Sequence, residues 1–320
     1  MSLAPDTLPS FTGALADALS RVTEAAAIAA AGLVGHGDEI HADAAATRAM
    51  AEALSHTEVN GRIVIGEGEP GSALVAGTAV GTGWGLPMDL AVDPLEGSTQ
   101  AAKSQPEALS VLVCAHRDGL LRVPDVYMEK LAVGPGYPSD LLDLDAPPGE
   151  IVARIARHKG TPVHEVTACV LDRPRHRDLI TALRTAGARV ALISDGDVVG
   201  VINTALPDTG IDVYLGHGSA PAGVLAACAL KCVGGQMLGR LVARNDDERR
   251  KVARADLGAP GQTFGLEGLC AGETIFCATG VTPGGLLAGV RLMPGRVVTE
   301  TLVMTSADGR VRRIHSSVPR

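Results

Sequence analysis

Two acidic clusters stand where this chain could do chemistry. One is the turn Gly66-Glu67-Gly68-Glu69; the other is Asp89-Leu-Ala-Val-Asp93-Pro-Leu-Glu96-Gly-Ser98-Thr99. Carboxylates gathered without bases repel one another, so several in one cleft make sense when a hard divalent cation neutralises them. Oxygen donors suit Mg2+ or Mn2+. Pro94 stiffens the chain and removes an amide donor, which puts Asp93 and Glu96 on one turn. Gly97-Ser98-Thr99 then opens a helix whose first amides and hydroxyls suit a phosphate. Carboxylates, metal and phosphate cradle thus fall within the seven residues from Asp93 to Thr99. That combination fits hydrolysis of a phosphate ester, in which metal activates water and stabilises the leaving oxygen. A lone acidic turn reads better as a strand–turn–helix junction with a capping Ser; Asp-Pro-x-Glu-Gly-Ser behind an apolar strand favours the metal. A second constellation is Arg173-Pro174-Arg175. Two guanidiniums flanking a stiff turn clamp a phosphate, and Arg at a helix start runs against the dipole preference, which favours an anion there.

The elements that must position these groups follow from periodicity. Apolar residues at helical spacing predict helices over 12–33 and 38–54, the second with Asp38 as N-cap. Short apolar runs predict strands at 62–65, 87–92 and 108–115, so that each acidic cluster follows a strand. Residues 133–150 are rich in Pro, Gly and Asp and read as a long connection. The second half alternates: strands at 166–171, 189–194, 211–215 and 236–242, helices at 175–186 and 220–233. Strands at 274–278, 297–304 and 310–314 close the chain, with Asp308-Gly309 as a hairpin turn. The alternation predicts an α/β fold with a largely parallel core, whose ligand site lies at the carboxyl ends of strands.

The segment Asp93-Pro-Leu-Glu96-Gly-Ser98 resembles the Asp-Pro-x-Asp/Glu-Gly-Ser/Thr motif of the lithium-sensitive sugar phosphatases. The rest of the chain resembles their class II fructose-1,6-bisphosphatases nearly end to end. The likeness is carried by Arg21-Val-Thr-Glu24, Gly35-x-Gly-Asp38, Ala42-Asp43, Ile63-Val-Ile-Gly-Glu-Gly-Glu69, Val80-Gly-Thr-Gly83 and Tyr127-Met-Glu-Lys130. It continues through Val133-Gly-Pro-Gly136, Arg173-Pro-Arg-His176, Asp195-Gly-Asp197, Ala278-Thr-Gly-Val281 and Thr299-Glu-Thr301. The resemblance implies a layered αβαβα fold with the active site between two α/β halves. Residues 1–164 would carry the metals and 165–320 the substrate, with the tail strands free to return to the first sheet. It implies Asp43 and Glu67 as ligands of one metal, and Asp93 and Glu96 as ligands of the other. Glu96, Gly97 and Ser98 would contact the reacting phosphate, with Ser98, commonly Thr in the family, and Thr99 assisting catalysis. Tyr127, Arg173, Pro174 and Arg175 would grip the substrate and its second phosphate, Asp195, Gly196 and Asp197 would contact the sugar, and Ser219 stands at a substrate-contacting Gly. The family pattern is altered at Glu39 (Lys in the family), Gly71 (Asp) and Ala222 (a metal-ligating Glu). These changes leave open a site retuned for another sugar or cyclitol phosphate, or a binding protein without turnover. His41 and His217 stand beside altered or ligand positions; both read better as ordinary polar residues than as substitute ligands.

Composition narrows the partners. Aromatic residues make up 2% and the net charge is −8, which disfavours nucleic acid. Residues 1–12 show no basic and apolar leader pattern, and the most apolar early run, 25–34, is too short to span a bilayer. The six cysteines include no CxxC pair and read as small buried residues. The expectation is a cytoplasmic homo-oligomer acting on a small sugar phosphate, without a membrane or nucleic-acid partner.

Overall fold

The computed structural model describes residues 10–68 and 72–319. Strands and helices are numbered in chain order. Eight strands form a first sheet: β1 (Asn60–Ile65), β2 (Ala79–Val80), β3 (Pro87–Glu96), β4 (Leu109–His116), β11 (Thr274–Gly280), β12 (Arg291–Met293), β13 (Arg296–Thr305) and β14 (Arg310–Pro319). Six form a second: β5 (Tyr127–Val133), β6 (Thr167–Leu171), β7 (Arg189–Ile193), β8 (Val213–Ser219), β9 (Gln236–Val242) and β10 (Thr263–Gly265). The helices are α1 (Gly13–Ala31), α2 (Glu39–Ser55), α3 (Ser98–Ala102), α4 (Pro148–Lys159), α5 (Arg177–Thr185), α6 (Asp197–Ile202), α7 (Ala220–Cys232), α8 (Asp246–Ala255) and α9 (Leu266–Leu269).

Three buried clusters define the layers. Leu19 and Ala26 of α1 and Ala46 and Met50 of α2 cover Ile63, Leu90, Leu112 and Ile275 on the outer face of the first sheet. Ile151 and Ile155 of α4 and Leu183 of α5 cover Leu131, Val170 and Leu215 on the outer face of the second. Between the sheets lie α6 and α7, packed on Ala91, Val113 and Phe276 from one side and Met128, Cys169 and Tyr214 from the other. This is the αβαβα stack. Nearly every residue of α7 is buried. An Ala-rich helix that is apolar all round fits such a layer, since small side chains let both sheets close on it. The six cysteines are free and buried, as their spacing suggested.

The expectation of a largely parallel core is corrected. Parallel pairing is confined to β1 with β3 and to β6 with β7 and β8. The other pairings among the described residues are antiparallel, including β5 with both β8 and β9. Periodicity reveals an element but not its direction. Here β5, from the first half of the chain, inserts between strands of the second. Sheet membership changes at Tyr127 and again at Thr274, the tail strands returning to the first sheet. The connection expected over 133–150 is shorter, because β5 runs to Val133 and α4 begins at Pro148. Other expectations hold locally. Asp38 caps α2 through the His41 amide at 2.9 Å, and Asp308-Gly309 joins β13 to β14.

Candidate active site

β3 carries the acidic motif inside the strand rather than beyond it. In a regular strand, residues three apart face opposite sides. Here the register against β4 runs Asp93↔Val111 and then Glu96↔Leu109, so β3 holds one extra residue at Pro94-Leu95. Pro94 has no amide to give the ladder, which suits a bulge. Ala91 packs in the central layer, whereas Val92 and Leu95 both pack outward under α1 and α2. The bulge thereby turns Asp93 and Glu96 alike toward the central layer. Gly97 follows with φ +84, a conformation that side chains rarely adopt, and lets α3 start at Ser98. The Asp93 carboxylate also accepts the Leu95 amide at 3.2 Å, which holds the bulge.

Asp43 reaches this face from the first turns of α2, and Glu67 from the exit of β1. Asp43 and Glu67 lie within side-chain hydrogen-bond reach of each other, as do Asp93 and Glu96. Glu67 keeps solvent access, but the surrounding protein displaces much of its bulk water. That desolvation, then the charges of Asp43 and Glu96, push its carboxyl up to about 8. Burial, followed by the charges of Glu67 and Glu96, raises Asp93 well above the carboxylate range. Burial lifts Glu96 to about 7, with Asp197 and Asp195 adding to the rise while the hydrogen bond with Asp93 and the Lys130 charge oppose it. Burial also raises Asp43. The four acids form two protonatable pairs, and among the described residues no three His, Cys, Asp or Glu side chains stand as a ready coordination shell. Such a set suits a hard divalent cation, because oxygen donors driven toward protonation first by burial and then by neighbouring charge are released from it by positive charge.

The second group of expected residues lies where β5 begins and β8 ends. Tyr127 pairs in register with Ser219. The Arg175 guanidinium sits 4.7 Å from the Tyr127 ring centroid and donates to the His217 carbonyl oxygen at 3.0 and 2.8 Å. Arg173 stands at the 3-10 turn containing Pro174 and faces Asp195 at 3.5 Å. Gly196 opens α6, whose first residue Asp197 is buried in an ion pair with Lys130. At Gly218 a Cβ would meet the Asp197 carboxylate at 1.8 Å, so only glycine leaves room for that pair. Glu96 senses Asp195, Asp197 and Lys130, which ties the α6 turn to the carboxylates. His176 is a packing residue: it is buried, and its Nε2 accepts the His217 amide at 2.8 Å.

Two residues escaped the sequence reading. Lys130 stands in the motif Tyr127-Met-Glu-Lys130 with no role of its own, and its burial follows from the place of β5 between β8 and β9. Arg244 had no motif at all. It lies 3.7 Å from the Tyr127 ring centroid, where Glu248 of α8 holds it by its backbone amide at 2.7 Å and by its guanidinium. A neighbouring Glu four residues on was its one signal. His217 lies 4.0 Å from Glu129, on the face of β8 turned away from the carboxylates, and His41 is an exposed partner of Asp38. Among the altered positions, Glu39 opens α2 half-buried and Ala222 is buried in the first turn of α7. Glu69 and Gly71 fall outside the described residues.

A layered αβαβα scaffold with carboxylates brought from α2, the exit of β1 and the bulge of β3 is that of a sugar-phosphatase type of protein. The profile of the family described as "Bacterial fructose-1,6-bisphosphatase, glpX-encoded" matches residues 13–318. The chain is 41% identical over 318 residues to "Fructose-1,6-bisphosphatase 1 class 2" of Escherichia coli (strain K12), covering 94% of each chain. It is equally similar, over the same coverage, to "Fructose-1,6-bisphosphatase class 2" of Shigella flexneri. The chain belongs to the glpX-encoded bacterial fructose-1,6-bisphosphatase family.

Proposed function

We propose that this chain is a divalent-metal-dependent phosphatase that removes one phosphate of a sugar bisphosphate, with fructose 1,6-bisphosphate as substrate. The observation that carries the reading is the convergence from three elements of two carboxylate pairs, Asp43 with Glu67 and Asp93 with Glu96, with Asp93 and Glu96 turned to one face by the β3 bulge. Mn2+ or Mg2+ would be held by these four. When bound, the metal polarises the phosphate ester and lowers the pKa of a water. The chain's own groups do the positioning. Gly97 and the hydroxyls of Ser98 and Thr99 orient the reacting phosphate. Arg173 and Arg175, on the turn stiffened by Pro174, hold the distant phosphate with Tyr127 and the neighbouring Ser219. The Asp195-Gly196-Asp197 turn meets the sugar hydroxyls, and Lys130 fixes Asp197 for that contact.

Among the described residues no helix is long and apolar enough to cross a membrane. The proposal extends to a cytoplasmic homo-oligomer of gluconeogenic carbohydrate metabolism; the net charge of −8 supports a partner set without nucleic acid. The test is phosphate release from fructose 1,6-bisphosphate with Mn2+, with Mg2+ and with chelator. Release is expected with metal only. Asp93→Asn should lower Mn2+ affinity by more than about 100-fold, since even an indirect metal contact is worth 10–100-fold. Metal-independent release, or unchanged Mn2+ affinity in that variant, overturns the reading.

A further inference from the structure

A cavity of about 430 Å3 opens between β1, the segment after β4 and α8. Its charged lining is Arg62, Arg122, Lys251 and Arg254, and among the described residues no Asp or Glu lines it. Other cavities mix their signs. The one behind Arg175 sets Lys130 and Arg175 against Glu129, Asp143 and Asp178, and the one around Asp212 sets Lys159 and Arg189 against Glu165. In a chain of net charge −8, four cations around one hollow stand out.

Part of this charge is compensated. Arg62 is paired with buried Asp89 and with Asp118, and Arg122 shares Asp118. On α8, Arg249 and Arg250 are likewise paired, to Asp246 and Asp247, but among the described residues Lys251 and Arg254 are not. Lys251 reaches the Asp125 carbonyl oxygen at 3.4 Å, and Arg254 has no ion pair among the described residues. Three residues apart on one helix face, these two cations meet Arg122 across the opening. Below them the lining is apolar: Ile63, Val64, Ala76, Val123 and Pro124.

We infer that this cavity binds a small organic phosphate, its dianionic head between Lys251, Arg254 and Arg122 and its apolar body on Val123 and Pro124. None of the proposed catalytic or substrate-contacting residues lines the cavity, which sets it apart from the proposed catalytic site. Neither Lys251 nor Arg254 belongs to the carboxylate or Tyr127 groups, and neither has a task in the proposed chemistry. Charge-assisted bonds to two cations account for the head, and the apolar floor for the body.

The probe is phenylphosphonate, whose carbon–phosphorus bond a phosphoester hydrolase leaves intact. It is titrated calorimetrically into the full-length protein with Mn2+ present, alongside methylphosphonate, which has the head without the body. Lys251→Glu with Arg254→Glu should weaken phenylphosphonate binding by about tenfold or more, the worth of one charge-assisted bond. The kcat and KM for fructose 1,6-bisphosphate should stay unchanged. Lys251→Gln with Arg254→Gln, which adds no repulsion, should weaken it as well, and thermal melts should show both variants folded. Methylphosphonate should bind more weakly than the probe. Equal probe affinity in wild type and variants overturns the site. A raised KM in the variants makes it part of the substrate cleft and overturns its separateness, and equal affinity for the two phosphonates overturns the apolar contact. Binding is read directly, so the outcome does not depend on the activity proposed above.

Discussion

Asp93 and Glu96 share a face because one extra residue sits between them in β3, and Pro94 stands where the ladder can spare an amide. The same economy governs the phosphate side, where the Arg175 guanidinium spends two of its hydrogens on the His217 carbonyl and is thereby aimed. Arg175 should act on affinity rather than on the chemical step. Arg175→Ala is expected to raise KM for fructose 1,6-bisphosphate about 10–100-fold with kcat little changed, and to matter much less for a monophosphate. Equal effects on both substrates would exclude the distant-phosphate role. Ala222 tests the opposite change. It is buried, so Ala222→Glu should destabilise the metal-free protein, because a buried unpaired charge is costly, and should tighten Mn2+ binding if the position faces the metals. Restoring Glu39→Lys, Gly71→Asp and Ala222→Glu together should raise kcat/KM on fructose 1,6-bisphosphate, since the resemblance makes the family's Asp at position 71 the group that activates water, and a missing base costs about 10²–10⁴ in rate. If the unaltered chain already turns over at ordinary enzyme rates and restoration adds nothing, these positions do not limit it.

At the scale of elements, several of the motifs that carry the family likeness prove to be joints. Thr23 of α1 meets Thr279 of β11 at 2.8 Å, and Thr279 meets Thr301 of β13 at 2.8 Å. Thr299 donates to Glu24 at 2.5 Å. This buried row of hydroxyls fixes α1 on the first sheet at one register, and each member is satisfied by the next. Thr279→Val keeps the shape and removes the middle link; Thr23 keeps its bond to the Ser20 carbonyl oxygen, and Thr301 loses its hydroxyl partner. The expected loss is about 1–3 kcal/mol in urea unfolding, with kcat unchanged. Unaltered stability would mean that the row contributes nothing net. A helix such as α8 shows the other use of an element: its buried Glu248 positions Arg244 over Tyr127 while its outer face carries the cations of the second cavity.

The whole molecule places α7 and the acid cluster in one central layer, and that sets its response to pH. Glu67 and Glu96 have carboxyls raised to about 8 and about 7 from an ordinary 4.5. The folded state therefore holds protons that the unfolded chain has released. The stability this contributes is complete below the ordinary value and is lost as pH rises through 7 and then 8. Metal-free protein should melt at progressively lower temperature as the pH is raised across that window. Mn2+ should reverse the trend, and its binding near neutral pH should release protons, seen as a binding heat that varies with buffer ionisation enthalpy. A metal-free melting temperature that rises with pH over the window would contradict the raised carboxyls.

Local chemistry made much of this protein legible in its sequence. The helices α1 and α2, the α2 cap at Asp38 and the strands on either side of the acidic motif rest on patterns of a few residues. Asp93 and Glu96 stand in one contiguous motif, whereas Asp43 was named only through the family resemblance. Strand direction did not follow, because a strand has the same period whichever way it runs; the antiparallel pairings of β5 with β8 and β9, and of β10 with β9, make the second sheet mixed. Lys130 and Arg244 were likewise decided by tertiary structure. Burial of Lys130 requires Asp197 from a distant turn, and Arg244 meets Tyr127 only because β9 pairs with β5. A charge's meaning depends on what faces it, and what faces it is set by pairings between residues far apart in the chain.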